Sequence, residues 1–199
     1  MTNPGPAEAA AHMTGRMLIA GIGNIVLGDD GFGPEVAKRL AAVRLPGWVR
    51  VADYGISGMH LAYHLADGYD AAILIDAAPR GDKPGSVSVL DVAAEHRPDA
   101  GLADEALGAS RLFDAHGMQP DVVLGVLDML GEAGPARILV VGCEPASVDY
   151  GMELSEPVAT AVDEAVQVVL DLVAEAGRDH ETTGAAGTPA APAQALRNH

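Results

Sequence analysis

The chain has 199 residues, enough for one domain with a sizeable core, and only 4% are aromatic, so Ala, Val, Leu and Ile must build that core. A net charge of −16 argues against a nucleic-acid partner, which requires clustered Lys and Arg, and against an anionic membrane surface. A single cysteine excludes an internal disulfide framework, no run approaches the ~20 apolar residues of a bilayer span, and the first residues lack the basic-then-apolar layout of a secretory signal, so a cytoplasmic protein is expected.

Residues 1–15 are small, polar and proline-containing and read as a flexible leader. Met17–Ala20 is a short apolar run bounded by glycine, the pattern of a buried strand. Gly21, Gly23 and Asn24 follow, and then Gly28, Gly31 and Gly33 bracket the pair Asp29-Asp30. Pro34 opens a helix, because proline fits the first helical turn, and Val36, Ala37 and Leu40 keep the helical period. The order is strand, acidic glycine-rich loop, helix. In an open α/β sheet, chemistry collects where loops leave the carboxyl ends of strands. Two acids in such a loop suit a metal or a polar substrate, whereas phosphate would want N–H donors and a lysine. The alternative is that one or both are turn formers or a helix cap.

Val49–Asp53 reads as a second strand, followed by the loop Tyr54–Gly58 and a helix over Met59–Ala66 with Ser57 as its cap. His60 and His64 share one face of that helix. Without the glutamate of HExxH they read as solvent-side or packed histidines. Ala71–Asp76 is the cleanest strand, apolar throughout as a strand covered on both faces should be, and it closes on a carboxylate. Ser86–Leu90 alternates and reads as another strand. Residues 92–109 are mixed and acidic and read as a loop with some helix, and His96 there is expected to be exposed. His116 precedes a helix over Pro120–Leu130, free to point into a cleft. Arg137–Gly142 is the last strand, and Cys143 after it reads as a small packing residue, with nothing nearby to make it a nucleophile. Ser155 is the expected cap of a helix to Ala176, with Val158, Val162, Val166, Val169 and Val173 as its core-facing stripe. The domain should span 16–177, with 178–199 a disordered tail of Ala, Gly, Thr and Pro. The order βαβαββαβα implies a mostly parallel sheet with helices on both faces.

Five segments in order carry a resemblance: Gly21-Ile22-Gly23-Asn24 with Asp29-Asp30-Gly31-Phe32-Gly33, then Tyr54–Met59, Leu74–Ala77, His116-Gly117 and Val141–Pro145. Over roughly residues 17–176 the chain resembles the hydrogenase maturation endopeptidases, the nickel-dependent proteases that trim [NiFe]-hydrogenase large subunits. The resemblance implies an α/β three-layer sandwich, a twisted five-stranded mostly parallel sheet between helices. It implies that Asp30, Asp76 and His116 are the metal-binding and catalytic residues. The first position is often Glu in that family, and here Asp30 is one methylene shorter; whether Asp29 shares the role stays open. Two carboxylates and an imidazole suit a borderline divalent ion such as Ni²⁺ and leave open coordination positions. The resemblance further implies that nickel arrives in the large-subunit precursor, whose C-terminal extension is then cut off at one peptide bond.

Three other readings compete. A peptidyl-tRNA hydrolase would need a basic face, and this chain is acidic. A nucleotide-binding module would need the full GxGxxG pattern, but Val26 stands at its third glycine. A non-catalytic nickel or hydrogenase assembly chaperone of the same fold would use the same residues, and sequence alone separates it poorly.

Overall fold

The computed structural model describes residues 15–91 and 134–184, with side chains described to residue 178. Within these residues the elements are β1 (Met17–Ile22), α1 (Phe32–Ala41), β2 (Val49–Gly55), α2 (Gly58–Ala66), β3 (Ala71–Ala77), β4 (Val87–Asp91), β5 (Arg137–Cys143) and α3 (Glu156–Gly184). A single 3-10 turn over Gly28–Gly31 leads into α1. The sequence assignments for residues 92–109, His116 and the helix over 120–130 fall outside the described residues.

The five strands form one sheet in the order β2-β1-β3-β5-β4. All neighbours are parallel except β4, which runs antiparallel to β5. The apolar continuity of β1, β3 and β5 has the expected cause: both faces are covered, so nearly every residue of these strands is buried. Alternate side chains separate into two cores. On one face Ile19, Ile73, Leu139 and Val141 pack with Phe32, Val36 and Leu40 of α1 and with the valine stripe of α3. On the other face Leu18, Ala20, Leu74 and Val140 pack with Leu61 and Leu65 of α2. Each such side chain, fully buried, stabilises the fold by about 1.5–3 kcal/mol. The result is the expected three-layer α/β sandwich.

Boundaries differ from the sequence reading where local chemistry says less than packing does. β1 continues through Gly21 and Ile22 because β2 and β3 pair with it on both sides. The last helix runs to Gly184 instead of stopping near Ala176. At Gly177 it passes beneath Trp48, whose ring leaves a 3.6 Å contact for a Cβ there, and Arg178 pairs with Glu175 one turn back. Neither expected serine cap acts as one. Ser57 occupies the N-cap of α2 without a side-chain bond to the helix, and Ser155 turns its hydroxyl elsewhere. Of the stripe on α3, Val158, Val162, Val169 and Val173 are buried and Val166 packs at the margin.

His60 and His64 are both exposed on α2, as expected. Nδ1 of His64 lies 2.6 Å from the hydroxyl of Tyr54, which is buried at the end of β2. Burial, together with Tyr69, pushes the Tyr54 phenol up to about 12, so it stays a protonated donor at any ordinary pH. Tyr54→Phe should lower stability by about 1 kcal/mol; an unchanged urea midpoint would show that the contact contributes nothing.

Candidate active site

The site is built where β1 and β3, adjacent and parallel, release their chains at the carboxyl edge of the sheet. α1 can start close above that edge because Gly33 packs directly on the carbonyl oxygens of Ile22 and Ile75, leaving no room for a Cβ. Gly23 has a φ of +127° and lies against the backbone carbonyl of Asp30. These two glycines fold the loop after β1 tightly back onto the strand ends.

Asp29 and Asp30 receive opposite environments. Asp29 is buried, and both of its oxygens are consumed by a segment more than a hundred residues later in the chain. Oδ2 accepts from Ala146 N at 2.8 Å, from Ser147 N at 3.1 Å and from the Ser155 hydroxyl at 2.9 Å, while Oδ1 accepts from Ser155 N at 2.6 Å. Burial alone would raise its pKa, but the Ser155, Ser147 and Ala146 bonds outweigh it and hold the carboxyl below the usual range. With its acceptors used, Asp29 has the bonding of a fastening for the loop. The Ser155 hydroxyl donates to this carboxylate, so its position ahead of α3 serves the loop of Asp29.

Asp30 is half-buried, and its Oδ2 accepts from the backbone N–H of Asn24 at 2.7 Å. The Asn24 side chain accepts from Val26 N at 3.1 Å and closes the turn. Asp76 sits near the end of β3, opposite Gly142 of β5, and is 7% exposed. Its pKa is raised well above the ordinary value, first by burial and then by the charge of Asp30, against a lowering from the Ala77 N–H. The charge of Asp30 thus acts on Asp76, although the two come from separate motifs of the sequence. No salt bridge to either is present among the described residues.

One further acid and the single cysteine lie at the same edge. Glu144, just after β5, accepts from Arg80 N at 2.6 Å and from Gly81 N at 3.3 Å. These bonds, that to Arg80 first, hold its pKa down against burial. They also tie down the loop that follows Asp76. The sequence reading placed Glu144 in a motif without a role, because its partners are backbone amides that leave no residue signature. Cys143 is fully buried, and burial with the nearby Asp29 charge pushes its thiol up to about 11. A thiol so far from its thiolate suits the packing role expected of it.

Two carboxylates at neighbouring strand ends without a cationic partner among the described residues fit a divalent cation or a shared proton. Among the described residues no three His, Cys, Asp or Glu side chains group to hold a metal ion. Asp30 and Asp76 thus supply two donors, and the third expected from the sequence, His116, lies outside the described residues.

The five-stranded, mostly parallel sheet between helices defines the class: an α/β three-layer protein, with a loop-borne and a strand-borne acid at its carboxyl edge. The chain belongs to the hydrogenase maturation protease family, whose family model matches residues 34–172. It is 34% identical to the hydrogenase expression/formation protein HupM of Azotobacter chroococcum over 83% of this chain and 76% of that one. Among solved structures it resembles the hydrogenase 2 maturation peptidase of a Thaumarchaeota archaeon, at 31% identity and a TM-score of 0.58 over 78% of this chain and 96% of that one. It also resembles the hydrogenase maturating endopeptidase HybD of Escherichia coli, at 28% identity and a TM-score of 0.61 over 81% and 94%. Membership removes the peptidyl-tRNA hydrolase and nucleotide-binding readings. Among the described residues no helix is long and apolar enough to cross a membrane.

Proposed function

We propose that this chain is a nickel-dependent endopeptidase that removes the C-terminal extension of a [NiFe]-hydrogenase large-subunit precursor after nickel insertion. The observation that carries this reading is the placement of Asp30 and Asp76, a half-buried and a buried carboxylate at the ends of adjacent strands, whose repulsion a divalent cation would relieve. Asp30, Asp76 and His116 are the proposed ligands, with nickel arriving as part of the substrate. Two oxygen donors and an imidazole leave positions open for the ligands that nickel brings with it. When bound, nickel would orient the scissile segment and supply Lewis acidity.

The chain's own residues prepare that encounter. The Asn24 N–H fixes one oxygen of Asp30, leaving the other free to face the cleft. In the metal-free protein Asp76 holds its proton more readily than an ordinary carboxyl, and it would give that proton up on meeting the nickel of the substrate. Low affinity for free metal follows from a site completed only by its substrate, so the enzyme would act only on loaded precursor. Precursor carrying nickel should be cut, and the same precursor without nickel should not, as read by the mass of its C-terminus. Equal rates on the two would end the nickel requirement. Loss of the extension in the presence of this chain alone would also separate the protease from an assembly chaperone of the same fold.

A further inference from the structure

Next to the loop that carries Asp30 lies an open groove of about 640 Å³, with the loop after β1 and the start of α1 on one side and the segment leading into α3 on the other. Its walls include Ile25, Pro34, Met152 and Leu154, and the backbones of Gly28 and Gly31 reach its surface. Asp30 lies between those two glycines in the sequence, but neither its side chain nor that of Asp76 lines the groove. Ile25 is 54% exposed and Met152 75% exposed. Single exposed apolar side chains are ordinary on a protein surface, but here they converge on one concave site.

The groove's shape is fixed by the main chain. Gly28 N donates to Gly151 O at 2.8 Å and Gly151 N to Val26 O at 3.0 Å, so the two flanking loops move as one. Its charge is also asymmetric. Glu35 pairs with Lys38 and Arg39, and Arg39 also pairs with Asp163, which neutralises the α1 side. Asp53 and Glu153 also line the groove, and neither makes a salt bridge to a described residue. The unbalanced charge is negative, on a chain already at −16.

We propose that this groove docks a segment of the large-subunit precursor in which an apolar side chain stands next to a lysine or arginine. The inference rests on the proposed function for the identity of the partner. The apolar side chain fills the space between Ile25, Met152 and Leu154, and the cation meets Asp53 and Glu153. Docking there sets specificity away from Asp30 and Asp76, without touching the reacting bond.

The test uses nickel-loaded precursor with the wild-type chain, Met152→Asp and Glu153→Gln, measuring Kd for the precursor together with kcat and KM for cleavage. Met152→Asp should raise Kd and KM about tenfold, the loss expected for one buried apolar side chain, with kcat and Tm unchanged because the residue is exposed. Glu153→Gln should weaken docking at low salt and match wild type at high salt, where surface charges are screened. Unchanged Kd and KM in both variants, with normal wild-type cleavage, would overturn the groove and leave the protease standing. Wild-type docking that Met152→Asp weakens, without any cleavage, would keep the groove and overturn the protease. A wild-type chain that neither binds nor cuts the precursor would overturn both. A concentration-dependent dimer that Met152→Asp dissociates while precursor binding is unaffected would assign the groove to a second copy and overturn the proposal.

Discussion

Asp76→Asn should abolish precursor cleavage, by about a thousandfold or more in kcat/KM, and at the same time raise the melting temperature of the metal-free protein by several degrees at neutral pH. Both halves follow from one placement. Asp76 is 7% exposed and faces the charge of Asp30, so its ionised form is disfavoured in the folded state, first by burial and then by Asp30. Asparagine keeps the shape and an acceptor for the Ala77 N–H but carries no charge, so the folded state loses a penalty and the proposed site loses its anionic ligand.

The pH dependence fixes the sign. Because the folded pKa of Asp76 is raised above its ordinary 3.8, the group's favourable contribution is complete below that value and is lost as pH rises through the elevated folded pKa. Wild type and Asp76→Asn should therefore melt together near pH 3. They should diverge as pH climbs, and the gap should level off once Asp76 is ionised in the folded protein. Melting curves in chelator from pH 3 to pH 8 would read this. A variant less stable than wild type at pH 7 would make Asp76 a structural carboxylate.

Much of this edge of the sheet was legible in the sequence. β1, β3 and β5 announced themselves as apolar runs because a strand covered on both faces has no polar side to show. Asp76 stood out as the acid that ends such a run, and Asp30 as part of a glycine-bracketed pair after another. The pair itself could not be resolved, because what separates Asp29 from Asp30 is a set of donors at Ala146, Ser147 and Ser155, far away in the chain. Local rules made Ser155 a helix cap for the same reason: its position before α3 is visible, but its real acceptor is not. Glu144 escaped notice because it binds main-chain N–H groups, which every residue but proline possesses. Seen together, the two carboxylates expected to meet the substrate are each held by a neighbour that never does. The loop of Asp30 is fastened through Asp29, and the loop after Asp76 through Glu144, and both fastenings converge on the connection between β5 and α3.

Asp29→Ala should accordingly be the most destabilising single truncation at the site, costing about 3–5 kcal/mol, and it should depress cleavage although Asp29 faces away from the substrate. The alanine would strand the N–H groups of Ala146, Ser147 and Ser155 and the Ser155 hydroxyl around a cavity. Each donor left unmade in a buried place costs on the order of 1 kcal/mol or more. Since the folded pKa of Asp29 lies below its ordinary 3.8, its contribution is present above that value and fades as pH falls through the folded pKa. The gap between wild type and Asp29→Ala in urea unfolding should thus be full at pH 6 and narrow toward pH 2, opposite in direction to the Asp76 effect. Released from Ser155, the loop after β1 would no longer hold Asp30 against Asp76, so the folded variant should retain its sheet by circular dichroism while cutting precursor slowly. Asp29→Ala with full stability and full activity would show that the four hydrogen bonds do not position the site, and the task of holding Asp30 would pass to the Asn24 turn alone.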